Sequence, residues 1–319
     1  VKEVRSPNEA ALREALVESR SPSFRDFIES ARQAASTDAI ILLTGETGVG
    51  KNILAHQIHE WSPRQDRPFV TIRCAVLSEN SPESEWLSPA KGSIQPPSQE
   101  QVSRIDVLNG GTIFLDEVAD LPLSLQPRVL YFIEDCSFER ADEDTKRDMR
   151  VIAATSHSLF DKVSAGQFRS DLFYRLNVVS LFVPPLREHM EDLLPFAEKF
   201  LAEAATRHGR YALTLSAEAK KALSSYGWPG NLRELFNVVE RAVVLSREES
   251  INKNNLPREI LRPLGFESEY PRWRASLEQI EAAHIRRVLA HTARQEDAAA
   301  ILGIGLATLW RKRKRYQIE

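Results

Sequence analysis

The stretch Gly45-Glu46-Thr47-Gly48-Val49-Gly50-Lys51-Asn52 constrains this chain more than any other. It follows directly on an apolar run, Ala39 to Thr44 (AIILLT), and opens a helical pattern from Asn52 to Trp61. A strand feeding a glycine-rich turn feeding a helix is the context a phosphate-binding loop requires. The glycines let backbone N–H groups converge on phosphate oxygens, the helix N-terminus adds partial positive charge, and the Lys51 ammonium reaches the outer phosphates. Gly45, Glu46, Thr47, Gly48, Val49, Gly50, Lys51 and Asn52 are therefore the candidate nucleotide-binding residues. Asn52 stands where a serine or threonine hydroxyl usually ligates magnesium. The plainer alternative, a glycine turn beside a solvated lysine, does not account for the flanking strand and helix.

A second apolar strand, Thr112-Ile113-Phe114-Leu115, ends in two acids, Asp116 and Glu117. A buried strand that delivers Asp116 to Mg2+ and Glu117 to a water provides the metal ligand and general base of a phosphoryl-transfer site. Alternatively, both acids only solvate a strand end. Further short apolar runs at 69–74, 150–155 and 178–183 alternate with helical patterns at 101–108, 124–133 and 171–176, which predicts a parallel sheet with helices on both faces. Pro184-Pro185 ends the last strand, and from there the pattern is purely helical through 191–205, 216–226 and 231–245. The expected organisation is an α/β nucleotide-binding core over 1–185, an α-helical lid over 186–250, a linker over 251–274 and an all-α unit over 275–319.

Charge divides the chain in the same place. The whole carries 42 Lys+Arg against 45 Asp+Glu, but residues 270–319 hold ten basic and five acidic side chains, a net of +5 that leaves −8 for the rest. A basic tail on an acidic body suggests two jobs. A hydrophobic content of 42% supports a real core and excludes wholesale disorder. No apolar run approaches the roughly 20 residues of a membrane helix, so no membrane association is expected. Cys74 and Cys136 form neither a disulfide framework nor a zinc spacing, which fits a reducing cytoplasm. His56 and His59 share a helix face without an evident third ligand, so solvated histidines are the better reading. Opening on Val1, the chain is expected to be a fragment that has lost an N-terminal segment.

Taken in order, GETGVGK, ESEW, GGTIFLDEVADLPLSLQ, RVIAAT, FRSDLFYRLNVV, PPLRE and WPGNLREL resemble the AAA+ domain of bacterial enhancer-binding proteins, the NtrC/NifA-like activators that remodel the sigma-54 polymerase holoenzyme. The resemblance covers about Ala39 to Ser246 and implies an AAA+ P-loop core with a helical lid that binds ATP or ADP with Mg2+. It places Arg169 and Arg175 at arginine-finger positions, supplied in trans to a neighbouring subunit's nucleotide, and Arg233 at the lid position that senses the γ-phosphate. A hexamer or heptamer is implied, together with a two-component response-regulator-like setting. For each arginine taken alone, a surface salt bridge is the alternative.

Three positions depart from the family. The loop that grips the sigma factor, GAFTGA in relatives, aligns with Gly92-Ser93-Ile94-Gln95-Pro96-Pro97, where two prolines fix φ and remove donors. Contact with sigma-54 is therefore not expected, although Ile94 and Gln95 leave a weakened contact as the alternative. Arg73 replaces the asparagine that holds the catalytic glutamate in a switched-off pose, and Ser156 replaces a sensor asparagine. Arg73 is expected either to pair with Glu117 and lower hydrolysis or to face solvent.

At the basic end, apolar positions from Leu277 to Leu289 mark one face of a helix, followed by 295–302, a Gly303-Ile304-Gly305 turn and a last helix from Leu306 to Tyr316. Two helices joined by a short glycine turn read as a helix-turn-helix. Leu306, Leu309 and Trp310 are expected to pack. Arg311, Lys312, Lys314 and Arg315 are available to phosphates, and Ala307, Thr308 and Arg311 to base edges. The segment AAAILGIGLATLWRKRKRY also resembles the Fis-like domains that end these activators, which implies a dimer on promoter or enhancer DNA. The leading expectation is a DNA-binding transcriptional regulator whose nucleotide state sets its assembly without sigma-54. The alternatives are an ATP-hydrolysing activator working on the RNA polymerase holoenzyme, and an ATPase fold kept as a scaffold or as a sensor of another nucleotide.

Overall fold

A computed structural model of the 319-residue chain describes residues 19–77, 110–135, 148–210, 213–246, 248–261, 276–292, 294–316 and 318, together with Arg13, Leu16 and Val17. Among them, β1 (Ile41–Thr44), β2 (Phe69–Arg73), β3 (Thr112–Asp116), β4 (Arg150–Thr155) and β5 (Val179–Phe182) form one parallel sheet in the order β2-β3-β4-β1-β5. Each strand lies within a run expected from the sequence. The register sets Thr44 opposite Thr155 and Leu115 opposite Ala153. The loop after β1, the two acids at the end of β3 and the residues after β4 therefore emerge at the same sheet edge, where ligands of open α/β sheets bind.

Period-two alternation separates two cores. Ile41, Leu43, Phe114, Ile152 and Ala154 face one side, while Leu42, Ile113, Leu115, Val151 and Ala153 face the other. The first side is covered by α1 (Pro22–Ala35) and α2 (Lys51–Glu60), and the second by α3 (Gln126–Asp135) and α5 (Ser170–Leu176), with the short α4 (Leu159–Ser164) before it. Helix α1 was not anticipated, although Phe24, Phe27, Ile28, Ala31 and Ala35 carry helical spacing and Pro22 suits a first turn. Its last carbonyls, of Ala34 and Ala35, accept from the buried Arg150 guanidinium at 2.8 Å each. Burial pushes Arg150 down to about 10.

The core on the α1 side runs on into the lid, made of α6 (Leu193–Arg207), α7 (Ala217–Ser224), α8 (Asn231–Leu245) and the pair β6 (Thr214–Leu215) and β7 (Ser250–Ile251). Phe196, Phe200, Trp228 and Leu235 belong to the same buried cluster as Leu43 and Phe114. Lid and sheet share one core, so the lid is seated rather than loosely tethered.

Two compact units divide at Leu261 and Arg262. Residues 251–261, expected to open the linker of 251–274, belong to the first unit. A turn at Lys253–Asn255 and α9 (Arg258–Leu261) bury Leu256 and Ile260 alongside Ile251, which fixes this stretch to the first unit. Residues 262–275 lie outside the described residues, as do the ESEW segment, the expected helix at 101–108 and the Gly92–Pro97 loop. In the second unit α10 (Leu277–His291), α11 (Gln295–Leu302) and α12 (Leu306–Arg315) enclose Ile285, Val288, Ala298, Ala299 and Leu309. Gly303, at φ +64°, closes α11 in the left-handed conformation that glycine adopts without a Cβ penalty.

Candidate functional site

The loop after β1 reaches α2 through backbone that only glycine tolerates. At Gly48, φ is +85° and a Cβ would lie 2.3 Å from the carbonyl oxygen of Gly230, so the loop and the start of α8 touch backbone to backbone. Lys51 is 5% exposed. Its Nζ donates to the carbonyls of Gly45 at 2.9 Å and Glu46 at 3.2 Å, and it lies 3.2 Å from Glu117 Oε1. Val49 is buried and Asn52 exposed.

Glu117 has a left-handed backbone, φ +53° and ψ +58°, a conformation that costs a non-glycine residue about 1–3 kcal/mol and is found mostly at functional sites. While its Oε1 meets Lys51, its Oε2 accepts from the Ser156 backbone N–H at 2.7 Å and from the Ser156 hydroxyl at 2.9 Å. Burial raises the Glu117 pKa, but the Ser156 N–H, the Lys51 charge and the Ser156 hydroxyl outweigh it, and the net shift is downward. Asp116 moves the other way, raised by burial and then by the neighbouring Glu117 charge, with Lys51, Arg73 and Arg233 opposing. Two adjacent carboxylates are thus pushed apart in acidity, Glu117 as the firmer anion.

Of the two readings of Arg73, pairing with Glu117 or facing solvent, the structure has the second. Arg73 is exposed at the end of β2, in register with Asp116, and its charge favours the Asp116 carboxylate; Glu117 is bonded by Ser156 and Lys51 instead. Ser156, which replaces the sensor asparagine of the family, holds the glutamate.

Glu46 is held by two side chains from outside the loop. Arg187 grips it with two hydrogen bonds, at 2.7 and 2.6 Å, and Asn231 Nδ2 donates to Glu46 Oε2 and to the Thr47 carbonyl at 3.1 Å each. The Asn231 Oδ1 accepts from the Leu186 N–H at 2.8 Å, and the residue is fully buried at φ +51°. Arg187 first, then Asn231, holds the Glu46 carboxyl below its usual range against the effect of burial. Sequence reasoning named Glu46 but missed Arg187 and Asn231. The signal was present in LRE and WPGN, whose polar side chains serve the loop rather than a ligand.

Arg233 is exposed, its backbone N–H donates to the Gly48 carbonyl at 3.3 Å, and its charge acts on Asp116. Arg169 pairs with Asp171 across 2.7 Å, and Arg175 is half-buried on α5. The structure therefore brings Lys51, Asp116, Glu117 and Arg233 together and leaves Arg169 in a local pair. A cleft beside the loop is lined by Gly45, Glu46, Ser156, Phe160, Phe173 and Phe182.

Among the described residues, no group of three or more His, Cys, Asp or Glu side chains could hold a metal by itself. One carboxylate, Asp116, beside a phosphate-binding loop fits Mg2+, which keeps several waters and takes one or two carboxylates plus phosphate oxygens. The two histidines are not solvated as expected: His59 is buried and meets the Thr112 hydroxyl at 2.9 Å, and the partly buried His56 meets Glu60 at 3.5 Å.

In the second unit, Leu309 is 1% exposed and packs as expected, but Leu306 and Trp310 are 46% and 60% exposed and do not. The turn of α12 points position 309 inward and carries 306 and 310 outward. Lys312 pairs with Glu281 at 2.5 Å and Arg315 pairs with Glu278, both on α10, whereas Ala307, Arg311 and Lys314 are exposed and Thr308 is half-buried. Arg311 lies 3.4 Å from the Thr308 hydroxyl.

The sheet order, the loop after β1, the paired acids after β3 and the helical lid define an AAA+ P-loop core, followed by a helix-turn-helix unit. Residues 17–182 match the Sigma-54 interaction domain, 187–268 the AAA+ ATPase lid domain and 276–316 the bacterial regulatory protein, Fis family. The chain is 44% identical over 304 residues to the alginate biosynthesis transcriptional regulatory protein AlgB of Pseudomonas aeruginosa, covering 94% of this chain and 67% of that protein. It is 34% identical over 309 residues to the regulatory protein AtoC of Escherichia coli, again covering 94% and 67%. Crystal structures of NtrX from Brucella abortus in complex with ADP and with ATP superpose with a TM-score of 0.64 at 28% and 29% identity, each covering 98% of this chain and 72% of that one. The chain belongs to the NtrC-like sigma-54 enhancer-binding activators, a family of DNA-binding transcriptional regulators. Among the described residues no helix is long and apolar enough to cross a membrane.

Proposed function

We propose that this chain is a transcriptional regulator whose AAA+ core binds ATP or ADP and thereby controls its own assembly on promoter or enhancer DNA, acting without sigma-54. The convergence of Lys51, Asp116 and Glu117 at one sheet edge carries the nucleotide part. Lys51 is the phosphate-binding cation, Asp116 would hold Mg2+, and Glu117 is the general base for an attacking water. Mg2+, when bound, neutralises charge on the phosphate oxygens. The relation to NtrX, crystallised with ADP and with ATP, supports the same ligands here.

Assembly is supported by the surface around the cleft. Phe160, Tyr174, Val178 and Phe182 are each more than half exposed, and Arg169 and Arg175 flank and share α5 with Tyr174. A second copy seated there would cover the apolar side chains and bring an arginine to its neighbour's nucleotide, as a hexamer or heptamer requires. The Fis-type unit would dimerise on paired DNA sites.

The step away from sigma-54 rests on the sequence Gly92-Ser-Ile-Gln-Pro-Pro97. The match of 17–182 to the Sigma-54 interaction domain favours the second reading, an ATP-hydrolysing activator that remodels the polymerase closed complex. Transcription from a target promoter with polymerase carrying either sigma-54 or the housekeeping factor separates the two, since strict dependence on sigma-54 selects the second. For the nucleotide, Lys51→Ala is expected to lower labelled-ATP affinity about 10- to 100-fold, the worth of a hydrogen bond to a charged group. Unchanged binding in that variant rules the site out.

A further inference from the structure

The outer face of α12 is not the uniformly cationic surface that its sequence suggests. Leu309 is buried against α10 and α11, Lys312 and Tyr316 are bonded to Glu281, and Arg313 donates to the Ile318 carbonyl, so the inner face is accounted for. Positions 306, 307, 310, 311 and 314, at helical spacing on the opposite side, are all exposed. They read Leu, Ala, Trp, Arg, Lys: an apolar half towards the helix N-terminus and a cationic half beyond it. The Lys314 ammonium lies 5.4 Å from the Trp310 ring, so cation and indole share one surface.

We propose that Leu306 and Trp310 contact thymine C5-methyl groups in the major groove, which makes Trp310 a specificity-determining residue of α12. The inference rests on the DNA-binding reading of this unit and goes beyond it to the chemistry read. The occupant follows from charge: the exposed face carries the cations Arg311 and Lys314 and the ten-residue α12 holds no acid, so its partner is a polyanion. In the major groove of a duplex the apolar feature presented to a helix is the thymine methyl. Ala307, small and on the same face, lets the helix approach closely enough for Leu306 and Trp310 to reach it. Arg311 and Lys314 then lie towards phosphates, where they supply affinity without sequence information.

The test uses the full chain. Duplexes are first selected from a random-sequence pool by the wild-type protein, and each thymine of the enriched site is then replaced by deoxyuridine, which removes only the methyl. The wild type is expected to lose about fourfold in affinity per contacted methyl, the worth of one buried carbon. Trp310→Ala is expected to bind the enriched site about tenfold more weakly, to lose the uracil cost at the thymines that Trp310 contacts while keeping it at any that Leu306 contacts, and to keep the wild-type salt dependence. Trp310→Phe should recover part of the methyl sensitivity. Equal uracil costs in wild type and Trp310→Ala, or a wild type that selects no sequence, overturn the proposal. A change in oligomeric mass in Trp310→Ala at unchanged methyl sensitivity also overturns it and assigns the face to a second copy. Failure to bind any duplex at low salt sinks the DNA-binding reading itself, whereas binding without methyl sensitivity sinks only the inference drawn from it.

Discussion

Ser156 donates its backbone N–H and its hydroxyl to the same oxygen of Glu117, at 2.7 and 2.9 Å, from just beyond β4, the strand next to the one that delivers the glutamate. With Lys51 on the other oxygen, both ends of the carboxylate are engaged within the protein. Ser156→Ala removes one restraint and leaves the N–H. Turnover at saturating ATP is expected to rise severalfold, equivalent to roughly 1 kcal/mol, with ATP affinity unchanged. Ser156→Thr keeps both donors and should match the wild type. Steady-state kinetics check this, and equal or slower turnover in the alanine variant means that Ser156 does not restrain the proposed base, Glu117.

Asn231 joins three segments: the Glu46–Thr47 loop, Leu186 at the root of the lid and its own helix α8. Asn231→Ala strips buried partners from the Leu186 N–H and the Thr47 carbonyl, each worth about 1–3 kcal/mol. Urea unfolding should show a loss of about 2–4 kcal/mol. Nucleotide affinity should fall as well, because the Glu46–Thr47 segment of the loop loses two of its hydrogen bonds.

His59 predicts a pH dependence. It is 3% exposed against Thr112, and burial, then the neighbouring His56, pushes its pKa down from 6.5 to about 4. The unfolded chain therefore takes up the proton first. The contribution of neutral His59 is complete above about 6.5 and is lost as pH falls towards 4. His59→Gln, which can still bond the Thr112 hydroxyl, should flatten the fall in thermal midpoint between those values. An identical fall in both proteins would place its origin elsewhere.

Arg311 and Lys312 are adjacent yet differ in their surroundings, the first exposed and the second paired with Glu281. Arg311→Ala should weaken binding to all duplexes alike and reduce the salt slope by about 1. Lys312→Ala should act mainly on the α10–α12 contact and lower the thermal midpoint of the second unit. Titrations at several salt concentrations, with calorimetry alongside, distinguish the two effects.

Much of this was legible beforehand because it rests on local pattern. Strand limits followed from short apolar runs, the phosphate-binding loop from glycines between strand and helix, and the helix-turn-helix from a glycine turn between amphipathic segments. Helix α1 carried the spacing of Phe24, Phe27, Ile28 and Ala31, yet its role became visible only through Arg150, which caps it from a strand more than a hundred residues away.

Local composition could not say which partner a polar side chain meets. The sequence by itself determined the five strands of the sheet, the placing of Lys51, Asp116 and Glu117 at strand ends and the division into an acidic body and a basic end, because backbone propensity and hydrophobic period act over a few residues. Only the tertiary structure decided that Ser156 rather than Arg73 holds Glu117, that Glu46 serves Arg187 and Asn231, and that Trp310 faces outward. Those outcomes depend on strand order, on the left-handed turn at Glu117 and on the rotation of α12 about its axis, each set by packing between distant segments.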